Sequence, residues 1–175
     1  MDSIDKLCKI ILQWEGKYQC MVEDSGNYID GILIGTNMGI TPATYKQAFG
    51  KIPSPEDMKN LTIDQFKIIL KKYYWNRWKA DEIENESIRF ILVDWVWASG
   101  KWGIIFPQQI LDVVTDGIVG EHTINALNRC DQEELFKKIV FERIAFVSRI
   151  VKNKPSQMRF FKGWVNRIHS FKFNP

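Results

Sequence analysis

Apolar residues recur along most of this chain at spacings of three and four, the pattern of helices that bury one face. Ile4, Leu7, Cys8, Ile11 and Trp14 form the first such stripe, with Ser3 placed to cap it and Gly16 to close it just past Glu15. The period then breaks. Residues 17–40 are punctuated by Gly26, Gly31, Gly35 and Gly39, and their apolar run Ile32-Leu33-Ile34 is too short for a helix, which predicts a loop or small hairpin. Thr41-Pro42 supplies an N-cap and a first-turn proline for a short helix ending by Gly50. After Ser54-Pro55, Thr62 and Gln65 have capping-box spacing, and Phe66, Ile69, Leu70, Tyr73 and Tyr74 form one apolar face.

Residues 88–98 are apolar on nearly every side, through Ile88, Phe90, Ile91, Leu92, Val93, Trp95, Val96 and Trp97. A helix of that kind belongs in the core, and the run is far shorter than the roughly 20 residues of a membrane span. Beyond Gly103, Pro107 interrupts an otherwise helical pattern, which predicts a kink or a helix starting near Pro107. Asp116-Gly117 reads as a turn before a short helix reaching about Asn128. Asp131 and Glu134 cap a long helix carrying Leu135, Ile139, Val140, Val147, Ile150 and Val151, and a last helix carries Met158, Phe161, Val165 and Ile168. The fold class is therefore mainly α with a small loop or β-hairpin. No repeat or long Pro/Gly linker divides it, so one compact unit, or at most two closely packed lobes, is expected.

One residue in this framework points to chemistry. Glu15 stands where an apolar helix meets an open, glycine-punctuated loop. A carboxyl group partly desolvated in that way keeps its proton to higher pH, as a general acid requires. Cleavage of a glycosidic bond needs such an acid on the leaving oxygen and a second group that holds water or stabilises the oxocarbenium-like state. The plain alternative for Glu15 is a solvated helix-end carboxylate.

The stretch Ile11-Leu12-Gln13-Trp14-Glu15-Gly16-Lys17-Tyr18, followed by Gly35-Thr36-Asn37-Met38-Gly39-Ile40-Thr41, resembles the head of the glycoside hydrolase family 108 muramidases. Asp116-Gly117-Ile118-Val119-Gly120, with Thr123 and Ala126-Leu127-Asn128, resembles the predicted peptidoglycan-binding segment that follows the catalytic region in that family. The ending Phe161-Lys162-Gly163-Trp164-Val165-Asn166-Arg167-Ile168 is similar to the family's C-terminus. The resemblance implies a lysozyme-like fold, with a catalytic region over residues 1–100 and a peptidoglycan-binding helical region over 101–175, packed as one unit. It also implies an N-acetylmuramidase that cleaves the β-1,4 bond between N-acetylmuramic acid and N-acetylglucosamine and needs no cofactor. Some relatives are described as secretion activators, so a wall-binding or secretion-assisting protein without catalysis is the second reading; a phage endolysin carried in a bacterial genome is a third, which changes the biology but not the chemistry.

On this resemblance Glu15 is the acid, and Asp24 and Thr36 are the further catalytic candidates. Asp24 has the spacing of the family's loop aspartate, although beside Ser25-Gly26 it could equally be a turn former. Two features depart from the family pattern: Lys17 replaces its second glycine, and the loop between Asp24 and Thr36 is longer, which makes Asp30 an alternative to Asp24. Tyr18, Asn37, Thr41, Trp95 and Trp97 are candidates for sugar contacts, since aromatic faces stack on C–H surfaces and polar side chains bind hydroxyls. For the two tryptophans, core packing is the competing role.

Composition sharpens this only a little. The chain is 175 residues long, 45% hydrophobic and 13% aromatic, enough to bury a real core. Its net charge of +3 is spread among acidic residues, which suits a polyanionic wall but lacks the basic stripe and reading motif of a nucleic-acid binder. Cys8, Cys20 and Cys130 have no metal-ligand spacing and are expected as free thiols; His122 and His169 are too isolated for a metal site. The N-terminus shows no secretory pattern and no segment suits stable membrane insertion. Cytoplasmic synthesis is expected, with action at the wall or periplasm after release through lysis, a holin or an export system.

Overall fold

A computed structural model of the chain describes residues 2–175. It is mainly helical with one two-stranded sheet, and it divides into two compact units, Met1–Tyr73 and Tyr74–Pro175.

In the first unit, helix α1 (Ser3–Leu12) buries Ile4, Leu7, Cys8 and Ile11, as the stripe predicts. Its ends differ from the expectation. Asp2, not Ser3, holds the N-cap position, with no side-chain cap bond, and the helix stops at Leu12 instead of running to Gly16. The Trp14 N–H turns back to the Ile11 carbonyl at 2.9 Å, a tightened last turn that leaves Trp14 37% exposed and outside the core stripe. A short antiparallel hairpin follows, β1 (Tyr28–Ile29) and β2 (Ile32–Leu33). Its two-residue turn is Asp30-Gly31, both with positive φ (51° and 79°), the geometry that matches strand twist in tight hairpins.

Helix α2 (Pro42–Phe49) begins at the predicted Thr41 cap, whose hydroxyl accepts from the Thr44 N–H at 3.2 Å. Helix α3 (Pro55–Lys59) carries a complete Ser54/Asp57 capping box, and α4 (Ile63–Leu70) carries the predicted Thr62/Gln65 box. The α4 stripe does not stay α-helical to Tyr74. It passes into a π-helical turn, Lys71–Trp75, and then into short 3-10 turns. Within the first unit α1 packs on α4, and Lys67 joins Asp5 at 2.9 Å across that contact.

The second unit is built around α5 (Glu86–Ser99), the helix read as apolar all round, and its residues from Phe90 to Val96 are all buried. Helix α6 (Trp102–Ile110) runs through Pro107 without starting there. A proline inside a helix leaves the carbonyl four residues earlier without its partner. Here that carbonyl belongs to Gly103, and the buried Trp78 indole N–H donates to it at 3.1 Å. Gly103 also lets α6 lie directly on α5, because a Cβ there would meet the Val96 nitrogen at 2.5 Å. Helix α7 (Glu121–Arg129) follows the Asp116-Gly117 turn. Helix α8 (Gln132–Asn153) starts at the Asp131 cap, and α9 (Met158–Ser170) closes the unit against α8.

One charged cluster lies inside this apolar unit. Asp94 of α5, fully buried, is bridged by Arg143 of α8 at 2.8 Å and Arg167 of α9 at 2.7 Å. A buried carboxylate is tolerated only with such partners. The cluster ties three helices to one point.

Candidate active site

Glu15 sits in a bend after α1, half-buried, on a segment folded back along residues 35–38. The chain is held there by its backbone. Gln19 and Thr36 exchange N–H to carbonyl bonds of 2.9 Å in both directions, and the Met38 N–H donates to the Gly16 carbonyl at 3.1 Å. The segment that follows Glu15 is therefore fixed by a two-segment clamp. Lys17, beside it in sequence, is exposed.

Gln19 is the centre of the polar network around the next two candidates. Its Nε2 donates to Asp24 Oδ2 at 2.8 Å and to Asn27 Oδ1 at 3.0 Å, while its Oε1 accepts from Asn27 Nδ2 at 2.8 Å. The other oxygen of Asp24, Oδ1, accepts from the Gly26 N–H at 2.9 Å, so the carboxylate is fixed at both ends although the residue is exposed. The Gly26 carbonyl in turn accepts from the Thr36 hydroxyl at 3.4 Å. Asp24 and Thr36 thus belong to one hydrogen-bonded loop, and the segment carrying Gln19, paired with Thr36 across an antiparallel bridge, leads back to Glu15. Asp24 also caps the short 3-10 turn Ser25–Asn27, so the turn-forming role weighed for it is present alongside any other. Asp30 occupies the hairpin tip, 61% exposed at its side chain, and pairs with Lys46 at 3.4 Å.

The remaining candidates show what their side chains already hold. Tyr18 donates its hydroxyl to the Ile34 carbonyl at 2.8 Å and packs its ring on Gly35, where a Cβ would lie 2.7 Å from the ring. Burial, with Cys20 beside it, pushes the Tyr18 phenol above its ordinary range, so it remains a donor. Asn37 is buried and gives its Nδ2 to the carbonyls of Met58 (2.8 Å) and Lys59 (3.2 Å), fastening the site loop to α3. Thr41 caps α2. Trp95 and Trp97 lie in the second unit. Trp95 is 1% exposed, stacked against Phe106 with its centroid 6.0 Å away; Trp97 is half-buried against Tyr74. Sequence reasoning missed Gln19 and Asn27. Asn27 is fully buried, and beyond its side-chain bonds its carbonyl accepts from both Ile34 and Gly35.

The arrangement offers a half-buried carboxyl, a carboxylate with both oxygens oriented, and a hydroxyl, on segments locked to one another. Those are the groups that acid-assisted hydrolysis of a glycoside uses.

The glycosyl hydrolase 108 family matches residues 8–100, more than half of the chain. The chain belongs to the glycosyl hydrolase 108 family. A second match, to a predicted peptidoglycan domain, covers residues 102–169. No curated protein sequence matches the chain significantly. Among solved structures, that of Brucella abortus SagA is similar, with a TM-score of 0.77 and 25% identity over 96% of this chain and 90% of that one. This glycosyl hydrolase 108 protein is thus a lysozyme-like, peptidoglycan-related hydrolase. Among its described residues no helix is long and apolar enough to cross a membrane. Its three cysteines are free thiols, Cys8 buried and the other two exposed.

Proposed function

We propose that this protein is an N-acetylmuramidase that cleaves the β-1,4 bond between N-acetylmuramic acid and N-acetylglucosamine. Glu15 protonates the leaving oxygen. Asp24, oriented by Gln19 and the Gly26 N–H, stabilises the positive charge that develops on the sugar or activates water, with the Thr36 hydroxyl beside it in the same loop. The observation that supports this most is the clamp of residues 15–19 on 35–38, because it joins the segment bearing Glu15 to the network that holds Asp24 and Thr36. Tyr18, Asn37 and Thr41 shape that loop from behind through the bonds described above. Acting on the wall requires release, by lysis, a holin or an export route.

Release of reducing ends from purified peptidoglycan tests the reading. Wild type should cleave, and Glu15→Gln, folded by circular dichroism, should lose about 10²- to 10⁴-fold in rate, the usual contribution of a positioned acid. A Glu15→Gln variant as active as wild type would remove Glu15 from the chemistry.

A second reading has an observation of its own. Both oxygens of Asp24 are engaged in holding a turn, as they would be in a purely structural aspartate. A wall-binding or secretion-assisting protein without catalysis would retain saccharide affinity and cleave no wall material from any source.

A further inference from the structure

Beside the buried triad of the second unit lies a cavity of about 120 Å³ between α5, α8 and α9. Its walls are apolar, from Trp95, Ala98, Val147 and Trp164, and Arg143 and Arg167 also line it. Among the described residues no carboxylate lines it; the Asp94 carboxylate is shared by both guanidinium groups from behind. A guanidinium has five N–H donors. Arg143 uses its donors on the Ile91 carbonyl at 3.1 Å and on Asp94 at 2.8 Å, and its charge also lies 5.6 Å from the Trp95 ring centre. Its side chain is only 4% exposed, so its remaining donors are pre-oriented and largely desolvated. An anion meeting them would gain more than at a surface arginine.

The size of the cavity limits what can enter. A void near 150 Å³ accommodates a benzene-sized group, so this one takes roughly five or six non-hydrogen atoms and not a sugar ring with its substituents. An apolar wall with a guanidinium at one side suits a carboxylate whose neighbouring carbon bears a methyl group. The cavity shares Ala98, Ser99 and Ile150 with a more open depression that includes Trp102 and Phe106. Trp102 is 42% exposed and offers a flat apolar shelf for the remainder of a larger ligand.

We propose that this slot is a binding site for a small α-methyl carboxylate of peptidoglycan, held by Arg143 with the charge of Arg167 beside it, and with the attached sugar or peptide lying across Trp102. This rests on the peptidoglycan reading above and gives the second unit a ligand of its own. The wall carries that chemistry at the D-alanyl end of the peptide, and at the lactyl group of muramic acid where no peptide is attached to it.

The test is a calorimetric titration of the full chain with N-acetylmuramic acid, with D-alanyl-D-alanine and with the amide of each. One acid should bind and its amide should bind at least about tenfold more weakly, the effect of losing a charge-assisted bond; whichever acid binds names the source. Ala98→Phe fills the slot from an exposed helix position without replacing any member of the triad, and it should abolish that binding while circular dichroism stays unchanged. Equal binding of acid and amide, binding undiminished in Ala98→Phe, or no binding of either acid at millimolar concentration would each overturn the proposal. Reducing-end release is measured on the same preparations. Wall cleavage without acid-selective binding sinks the slot and leaves the muramidase intact; acid-selective binding without cleavage does the reverse.

Discussion

The first unit holds its important side chains with hydrogen bonds between neighbours in a loop, whereas the second holds its own by burying large aromatics together with a charged cluster. Asp24, Gln19, Thr36 and Asn27 form bonds of 2.8 to 3.4 Å in which only Asn27 is fully buried. Trp75, Trp78 and Trp95 are almost entirely enclosed, and Arg143 of the Asp94 cluster lies against the Trp95 and Phe171 rings. A half-exposed network can exchange a lost partner for water, so one deletion there costs about 1 kcal/mol and shifts geometry more than stability. A buried cluster has no such substitute. The two units should therefore answer mutation differently, the first mainly in function and the second mainly in folding.

The sharpest challenge to that contrast is Asp94→Asn. The buried Arg143 and part-buried Arg167 guanidinium groups would keep one neutral partner, and breaking a buried ion pair from one side costs about 3–5 kcal/mol. Urea unfolding followed by tryptophan fluorescence should show a loss of that size. A loss below about 1 kcal/mol would mean that water reaches the triad and that the second unit is not held as argued.

Gly103→Ala should come next. Its Cβ would meet backbone atoms of α5 at 2.5–2.8 Å, which no rotamer change relieves, so α6 must move away from α5. Overpacking of this kind costs about 1–3 kcal/mol. The shift should also pull the Gly103 carbonyl from the Trp78 indole, visible as a red shift in tryptophan emission.

Which of these features can be read from sequence depends on how local their cause is. The starts of α2, α4 and α8 follow from caps a few residues wide, at Thr41, Thr62 and Asp131, and all three were legible. Helix α3 was not read, because five residues are too few to show a period, although Ser54 and Asp57 have capping spacing. The passage of α6 through Pro107 depends on Trp78, a residue far away in sequence whose indole satisfies the freed carbonyl. Asp94 gave a usable signal that went unread: a lone acid on a helix apolar all round must have a buried cation. At the site, Glu15, Asp24 and Thr36 were nameable from motif context, but the Gln19 and Asn27 network exists only once residues 15–19 fold back on 35–38. Its hydrogen bonds leave no periodic trace.

Asn27→Ala sharpens the comparison from the other side. Removing its amide takes partners from Gln19 and the Met21 carbonyl and frees Asp24 to drift, at a cost of about 1–2 kcal/mol. If the loop is the catalytic one, wall cleavage should fall by far more than the small change in melting temperature suggests, while the α-methyl carboxylate affinity of the second unit stays at the wild-type value. Activity falling only in proportion to unfolded protein would reduce the network to ordinary loop support.

The smallest effect belongs to Lys67→Gln, which removes the Asp5 pair joining α1 to α4. The hydrogen bond from Lys67 lowers the Asp5 carboxyl below its usual range, and the bond to Asp5 raises the Lys67 ammonium. A lowered carboxyl contributes stability that is present above its unfolded value of about 3.9 and is lost as pH falls through the folded value; a raised ammonium contributes stability present below about 10.4 and lost as pH rises through its folded value. The wild type should therefore melt slightly higher than Lys67→Gln between those limits, with the gap closing at either end. Both side chains are about one-third exposed, so salt should shrink the gap as well. A difference that persists at pH 2 would assign the effect of Lys67 to the packing of its methylene stem on α1 instead of its charge.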